Sequence, residues 1–150
     1  ARSNRRPPRS CTVFVVPQYS QPMWPYVLVG IGGFLGANAR YLTARWVDTL
    51  VAGRFPLGTF VINVTGSFLL GLLGGLLAAK LVPHGDNVRL ALGVGFLGAF
   101  TTFSTFELET HALLEDGVWL TPLANVLLSV VVGLFALRAG VVVAKSWLTG

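Results

Sequence analysis

Residues 95–109 read Gly-Phe-Leu-Gly-Ala-Phe-Thr-Thr-Phe-Ser-Thr-Phe-Glu-Leu-Glu and gather the groups best able to handle an ion. Hydroxyls of Thr101, Thr102, Ser104 and Thr105 are interleaved with phenyl rings inside a segment long and apolar enough to cross a bilayer. Glycine and consecutive threonines weaken a helix. Backbone that leaves helical geometry at membrane depth persists only where it is buried in protein or lines a watery cavity, and such breaks mark ion and substrate sites. The rings of Phe103 and Phe106 lie three residues apart and share a helix face. Ring edges carry positive partial charge, so two edges turned into a narrow passage favour a small anion. They do not suffice alone. Moving a bare anion into low dielectric costs on the order of tens of kcal/mol, against roughly 1 kcal/mol for an aromatic contact. Amide N–H from Asn63, hydroxyl donors and a nearby cation must share the task. Carbonyls freed by a break also suit a hard cation, so one break can hold a cation while its side chains serve an anion.

The elements that must carry this segment follow from composition. The chain has 150 residues, 53% hydrophobic and only 11% charged, whereas a soluble domain carries roughly a quarter charged residues. Four stretches meet the length of about 20 apolar residues needed to span: residues 26–47, 58–82, 88–113 and 120–147. Short connections between them predict an all-α membrane protein, a compact unit of four transmembrane helices with the third broken and sequential helices side by side and antiparallel. Residues 1–25 hold Arg2, Arg5, Arg6 and Arg9 among five prolines and read as a flexible basic tail, leaving 26–150 as the membrane domain. Val13–Val16 is too short for the apolar region of a signal peptide. The single Cys11 excludes an intramolecular disulfide and a cysteine-based metal site. The net charge of +5 comes from the tail and helix ends, and its expected partner is anionic lipid rather than nucleic acid.

Positive charge beside the spans sets orientation. One side receives Lys80, Arg89, Arg138 and Lys145, the other Arg40, Arg45 and Arg54. That balance permits insertion both ways and pairing with an inverted copy, while the tail adds its arginines to the first side and favours a cytoplasmic N-terminus.

Small and polar residues recur every fourth position in the second span, at Thr59, Asn63, Ser67, Gly71, Gly75 and Ala79. They form one slanted stripe that lets membrane helices approach closely. The fourth span repeats it with Thr121, Asn125, Ser129 and Gly133, and again with Ala136, Gly140 and Ala144. Glycine and alanine positions read as packing faces; Asn63 and Asn125 either join helices or face a pathway. Arg40, inside the first span, either snorkels to the interface or attracts anions. Glu107, Glu109 and His111 read as a solvated mouth or partners for arginine. Gly93, Gly95 and Gly98 match a dinucleotide-loop spacing, but no strand precedes them. There is no activated nucleophile, paired histidine ligand or inward carboxylate pair, so the chain does not read as an enzyme.

Three motifs in order, Gly32-Gly33-x-x-Gly36-x-x-x-Arg40-Tyr41, Gly58-Thr59-x-x-x-Asn63-x-x-Gly66-Ser67 and Gly95-x-x-Gly98-x-x-Thr101-Thr102-Phe103-Ser104-Thr105-Phe106, resemble those of the Fluc/CrcB family of fluoride channels across residues 26–147. The resemblance implies a dual-topology dimer in the cell membrane with two pores at the interface, exporting cytoplasmic fluoride passively. It implies that Asn63, Phe103 and Phe106 line the fluoride path with Thr105 and Ser129 along a polar track. Arg40 would face the vestibule, and Gly98 and Thr101 would lend carbonyls to a central structural sodium ion. Asn125 stands where the family commonly has tyrosine. Some family members pair unlike subunits, so a homodimer and a paired paralogue are both open. The rival readings are a small proton-coupled cation exporter, which needs a membrane-embedded acid that the first span lacks before Asp48, and a non-transporting helical scaffold, which leaves the Phe and Thr cluster unexplained.

Overall fold

The structure, a computed structural model, describes residues 22–149 apart from 52, 116 and 118. Most of the basic tail therefore lies outside the described residues. Helix α1 spans Trp24–Leu50 with a proline in its first turn, where a missing N–H costs nothing; the last two residues assigned to the tail are thus helical. Helix α2 spans Leu57–Ala78. The third crossing is composite: α3 (Gly85–Val88), a π-helical stretch over Arg89–Leu97, α4 (Gly98–Phe100), and α5 (Phe103–Glu115) after a break. Helix α6 spans Leu120–Thr149.

Three of these stretches, Leu57–Ala78, Gly85–Glu115 and Leu120–Trp147, are long and apolar enough to cross a membrane. Four largely apolar spans were expected. The 27 residues of α1 reach about 40 Å, enough to cross, but Asn38, Arg40, Arg45 and Asp48 dilute its apolar character.

The buried apolar core is small: Val47, Ile62, Leu97, Phe100, Leu113 and Ala144. Most large apolar side chains face outward, as lipid allows, and close backbone packing does the joining. That packing runs mainly between alternate rather than consecutive crossings, α2 with α6 and α1 with the π-helical stretch. A Cβ on Gly71 would strike the Leu137 carbonyl of α6, and one on Gly75 would meet the Ala144 side chain, so α2 and α6 run in the same direction. A Cβ on Gly32 would strike the Ala91 carbonyl and one on Gly36 the Phe96 carbonyl, which aligns α1 with the third crossing in the same way. The glycine stripes are packing faces, as their spacing predicts. The π-helical stretch has no counterpart in the sequence reading; π turns are rare and gather at functional sites.

Candidate functional site

The third crossing opens at Thr101 and Thr102. Thr101 takes an extended conformation, φ −80° and ψ 157°, which ends α4. Thr102, 9% exposed, then has backbone groups with no helical partner. Asn63 of α2 supplies both. Its Nδ2 donates to the Thr102 carbonyl at 3.1 Å, and its Oδ1 accepts the Thr102 N–H at 2.9 Å. One primary amide thus answers both backbone groups of Thr102, and its own polar atoms are spared the cost that a bare amide would carry in hydrocarbon.

The other side of the break is closed by hydroxyls. Thr102 Oγ1 accepts the Thr105 N–H at 3.3 Å and donates to Thr105 Oγ1 at 3.0 Å, capping the start of α5. Thr101 Oγ1 donates to the Leu97 carbonyl at 3.0 Å. These bonds divert amides from helical order. The Thr102 N–H, four residues past Gly98, goes to Asn63, and the Thr105 N–H, four past Thr101, goes to Thr102 Oγ1. The carbonyls of Gly98 and Thr101 lose their ordinary i+4 donors, and Gly98 lies exposed.

A groove of about 330 Å³ opens onto the break, walled in part by Asn63, Ser67, Thr101, Phe103, Phe106 and Ser129. A Cβ on Gly66 would overlap the Thr101 methyl, so glycine there lets α2 lie against the break. The Phe103 and Phe106 rings stand 5.7 Å apart, tilted by 38°. Phe103 is 72% exposed while Phe106 is half-buried. Beyond Phe106 a chain of polar groups crosses to α6. Thr110 Oγ1 donates to the Phe106 carbonyl at 2.7 Å, Asn125 Nδ2 donates to Thr110 Oγ1 at 2.8 Å, and Ser129 Oγ donates to Asn125 Oδ1 at 3.5 Å.

Of the residues singled out from sequence, Asn63, Phe103, Phe106, Ser129, Gly98 and Thr101 all line this groove. Thr105 and Arg40 do not. The hydroxyl of Thr105 serves the cap of α5; Arg40 sits half-buried on α1. Glu107 and His111 are exposed, and His111 lies 3.7 Å from Glu115. Glu109 pairs with no arginine among the described residues: it accepts a bond from Thr59 Oγ1 at 2.9 Å. Its Oε2 is buried with no partner among the described residues. One participant escaped the sequence reading, and another was seen there only as a member of the hydroxyl cluster. Thr102 is the pivot of the break, though adjacent Thr101 and Thr105 look alike in sequence. Thr110 joins α5 to α6, and only the polar Asn125 on the opposite helix hints at it.

The comparisons with known proteins bear on this geometry. The family model described as "CrcB-like protein, Camphor Resistance (CrcB)" matches residues 27–141. The chain belongs to the CrcB family. The match takes in the break, the Asn63 stripe and most of α6. Among relatives in this family, the "Fluoride-specific ion channel FluC" of Solibacter usitatus (strain Ellin6076) is 48% identical over 120 residues, covering 80% of this chain and 98% of the relative. A protein of the same description from Geobacter metallireducens is 45% identical over 124 residues, covering 82% and 98%. "Fluoride-specific ion channel FluC 1" of Symbiobacterium thermophilum is 47% identical over 118 residues, covering 77% and 93%.

Proposed function

We propose that the chain is a fluoride channel of the plasma membrane, letting cytoplasmic fluoride leave passively by selective dehydration in a narrow pore. The observation that carries this reading is the broken third crossing: in a chain of the CrcB family it opens a groove walled by phenyl rings, hydroxyls and the amide of Asn63. Asn63 Nδ2 keeps a second N–H beyond its bond to Thr102, and primary amides have two such donors. That proton, the edges of Phe103 and Phe106, and the Ser129 hydroxyl are the donors offered to the anion.

The working unit is a dimer of inverted copies, with the exposed groove face at the interface. The near balance of positive charge on the two sides of the spans supports both orientations. The donor set around the break also fits a structural sodium ion. The Gly98 and Thr101 carbonyls have lost their helical donors, and among the described residues no cluster of three or more His, Cys, Asp or Glu competes for a metal. Carbonyl oxygens released by an unwound crossing suit such a cation. Two per chain fill only half of a fourfold set, so the pair of chains would complete it. Bound there, sodium would supply a fixed positive charge between the copies.

The test is efflux from liposomes loaded with fluoride, with chloride-loaded vesicles as control. Fluoride flux far above chloride flux is the expected result. No flux, or equal flux of both, overturns the channel reading.

A further inference from the structure

The groove has two walls on different helices, the Phe106 ring on α5 and the Ser129 hydroxyl on α6. Among the described side chains, α5 and α6 are joined by a single hydrogen bond, from Asn125 Nδ2 to Thr110 Oγ1 at 2.8 Å. These helices also pack far more lightly on each other than α2 packs on α6. Asn125 is 1% exposed, so its amide is dry.

The polarity of the tie is fixed at both ends. Thr110 has one hydroxyl proton and gives it to the Phe106 carbonyl at 2.7 Å, leaving a lone pair for the Asn125 N–H. On the α6 side, Ser129 lies one turn beyond Asn125 and reaches Oδ1 only at 3.5 Å. A bond of that length is weak, and the Ser129 proton turns readily to an anion in the groove. The same amide therefore anchors the ring-bearing helix and parks the serine hydroxyl.

We propose that the Asn125–Thr110 bond sets the spacing between the Phe106 and Ser129 walls, and so the size of anion that passes. Asn125 and Thr110 are positioning residues, acting through their neighbours. The inference rests on the channel reading and names what tunes the selectivity of that site.

The test uses the full chain in liposomes, with fluoride and chloride efflux measured for wild type, Thr110→Val, Asn125→Leu, the double variant and Thr110→Ser. Valine keeps the shape of threonine, so Thr110→Val decides the matter if Asn125→Leu fails to assemble. Each single change should lower the fluoride-over-chloride preference by roughly fivefold or more, the scale of one interhelical bond. The double variant should be no worse than the poorer single variant, the mark of a coupled pair. Thr110→Ser, which keeps the hydroxyl, should behave as wild type. A wild type that conducts fluoride while both single variants keep its ion preference overturns this inference alone. Loss that multiplies fully in the double variant overturns it as well. A wild type with no fluoride flux removes the channel reading and this inference together.

Discussion

Replacing Asn63 separates structural from electrostatic work at the break. Asn63→Ala removes both bonds to Thr102, at 3.1 and 2.9 Å, and leaves a buried N–H and a carbonyl unanswered. Each orphaned buried group costs about 1–3 kcal/mol, so the loss is on the order of 2–6 kcal/mol. Asn63→Asp keeps an acceptor for the Thr102 N–H but sets a carboxylate against the Thr102 carbonyl, so about half of that cost returns. It also puts a negative charge beside the anion path. Two like charges about 4 Å apart at an effective dielectric of 20 repel by about 4 kcal/mol, a reduction in anion occupancy of roughly a thousandfold. The two variants should therefore rank oppositely in two assays. In thermal aggregation of the purified protein, Asn63→Ala should be the weaker. In fluoride efflux per assembled protein, Asn63→Asp should be lower by at least about a hundredfold than wild type. Wild-type stability in Asn63→Ala would show that the amide does not hold the break, and wild-type flux in Asn63→Asp would remove Asn63 from the pathway.

Further outcomes follow from the same geometry. Phe106→Ile keeps bulk but loses the ring edge, and fluoride flux should fall by roughly fivefold or more with assembly unchanged; liposome efflux beside size-exclusion elution checks it. Gly36→Ala drives a methyl into the Phe96 backbone, which cannot swing aside, and should destabilise by about 1–3 kcal/mol. Gly30→Ala meets nothing within 4 Å and should be neutral or stabilising by up to about 1 kcal/mol; melting of both variants tests the contrast. Cysteines placed at Arg54 and at Asp86 should each be labelled from both sides of the membrane if one chain inserts both ways, and a single sidedness would exclude a homodimer of inverted copies.

The break was legible because hydroxyls and glycine are anomalous in an apolar span, and nothing but an unwound crossing employs Thr101, Thr102 and Thr105 together. The partner of the break was half legible: Asn63 sat on a stripe of period four, but its target at Thr102 is a long-range pairing of backbone with side chain. Which threonine caps α5 could not be read, since Thr102 and Thr105 differ only by the turn between them. The π-helical stretch over Arg89–Leu97 carries the same apolar pattern as an α-helix, and its wider turns arise where α1 presses Gly32 and Gly36 against its carbonyls. Which crossings pack closest was not read from the sequence, for a related reason. Short connections favour consecutive neighbours, but backbones approach closest where glycines face each other's helices, and Gly71, Gly75 and Gly140 bind α2 to α6 instead.

The case for two copies is a case about solvation. Phe103 at 72% exposure is no burden in lipid, but its neighbours are. Gly98 is exposed beside it, and its carbonyl has given up its helical donor to the Asn63 bond. In hydrocarbon an unanswered backbone group costs several kcal/mol, and the groove offers hydroxyls at the same level. Snorkelling cannot relieve a carbonyl midway along a crossing. Water could, but a water-filled groove facing acyl chains needs a polar lid, and no described segment of this chain covers it. The proposed second copy, laid against the same face, would supply that lid, and in the opposite orientation it would bring its own break to the same depth. In the proposed pair the freed Gly98 and Thr101 carbonyls would face each other rather than lipid, and a monovalent cation held by them would offset their negative ends. The feature that makes one chain costly in a bilayer would thus be the feature that draws two chains into the proposed channel.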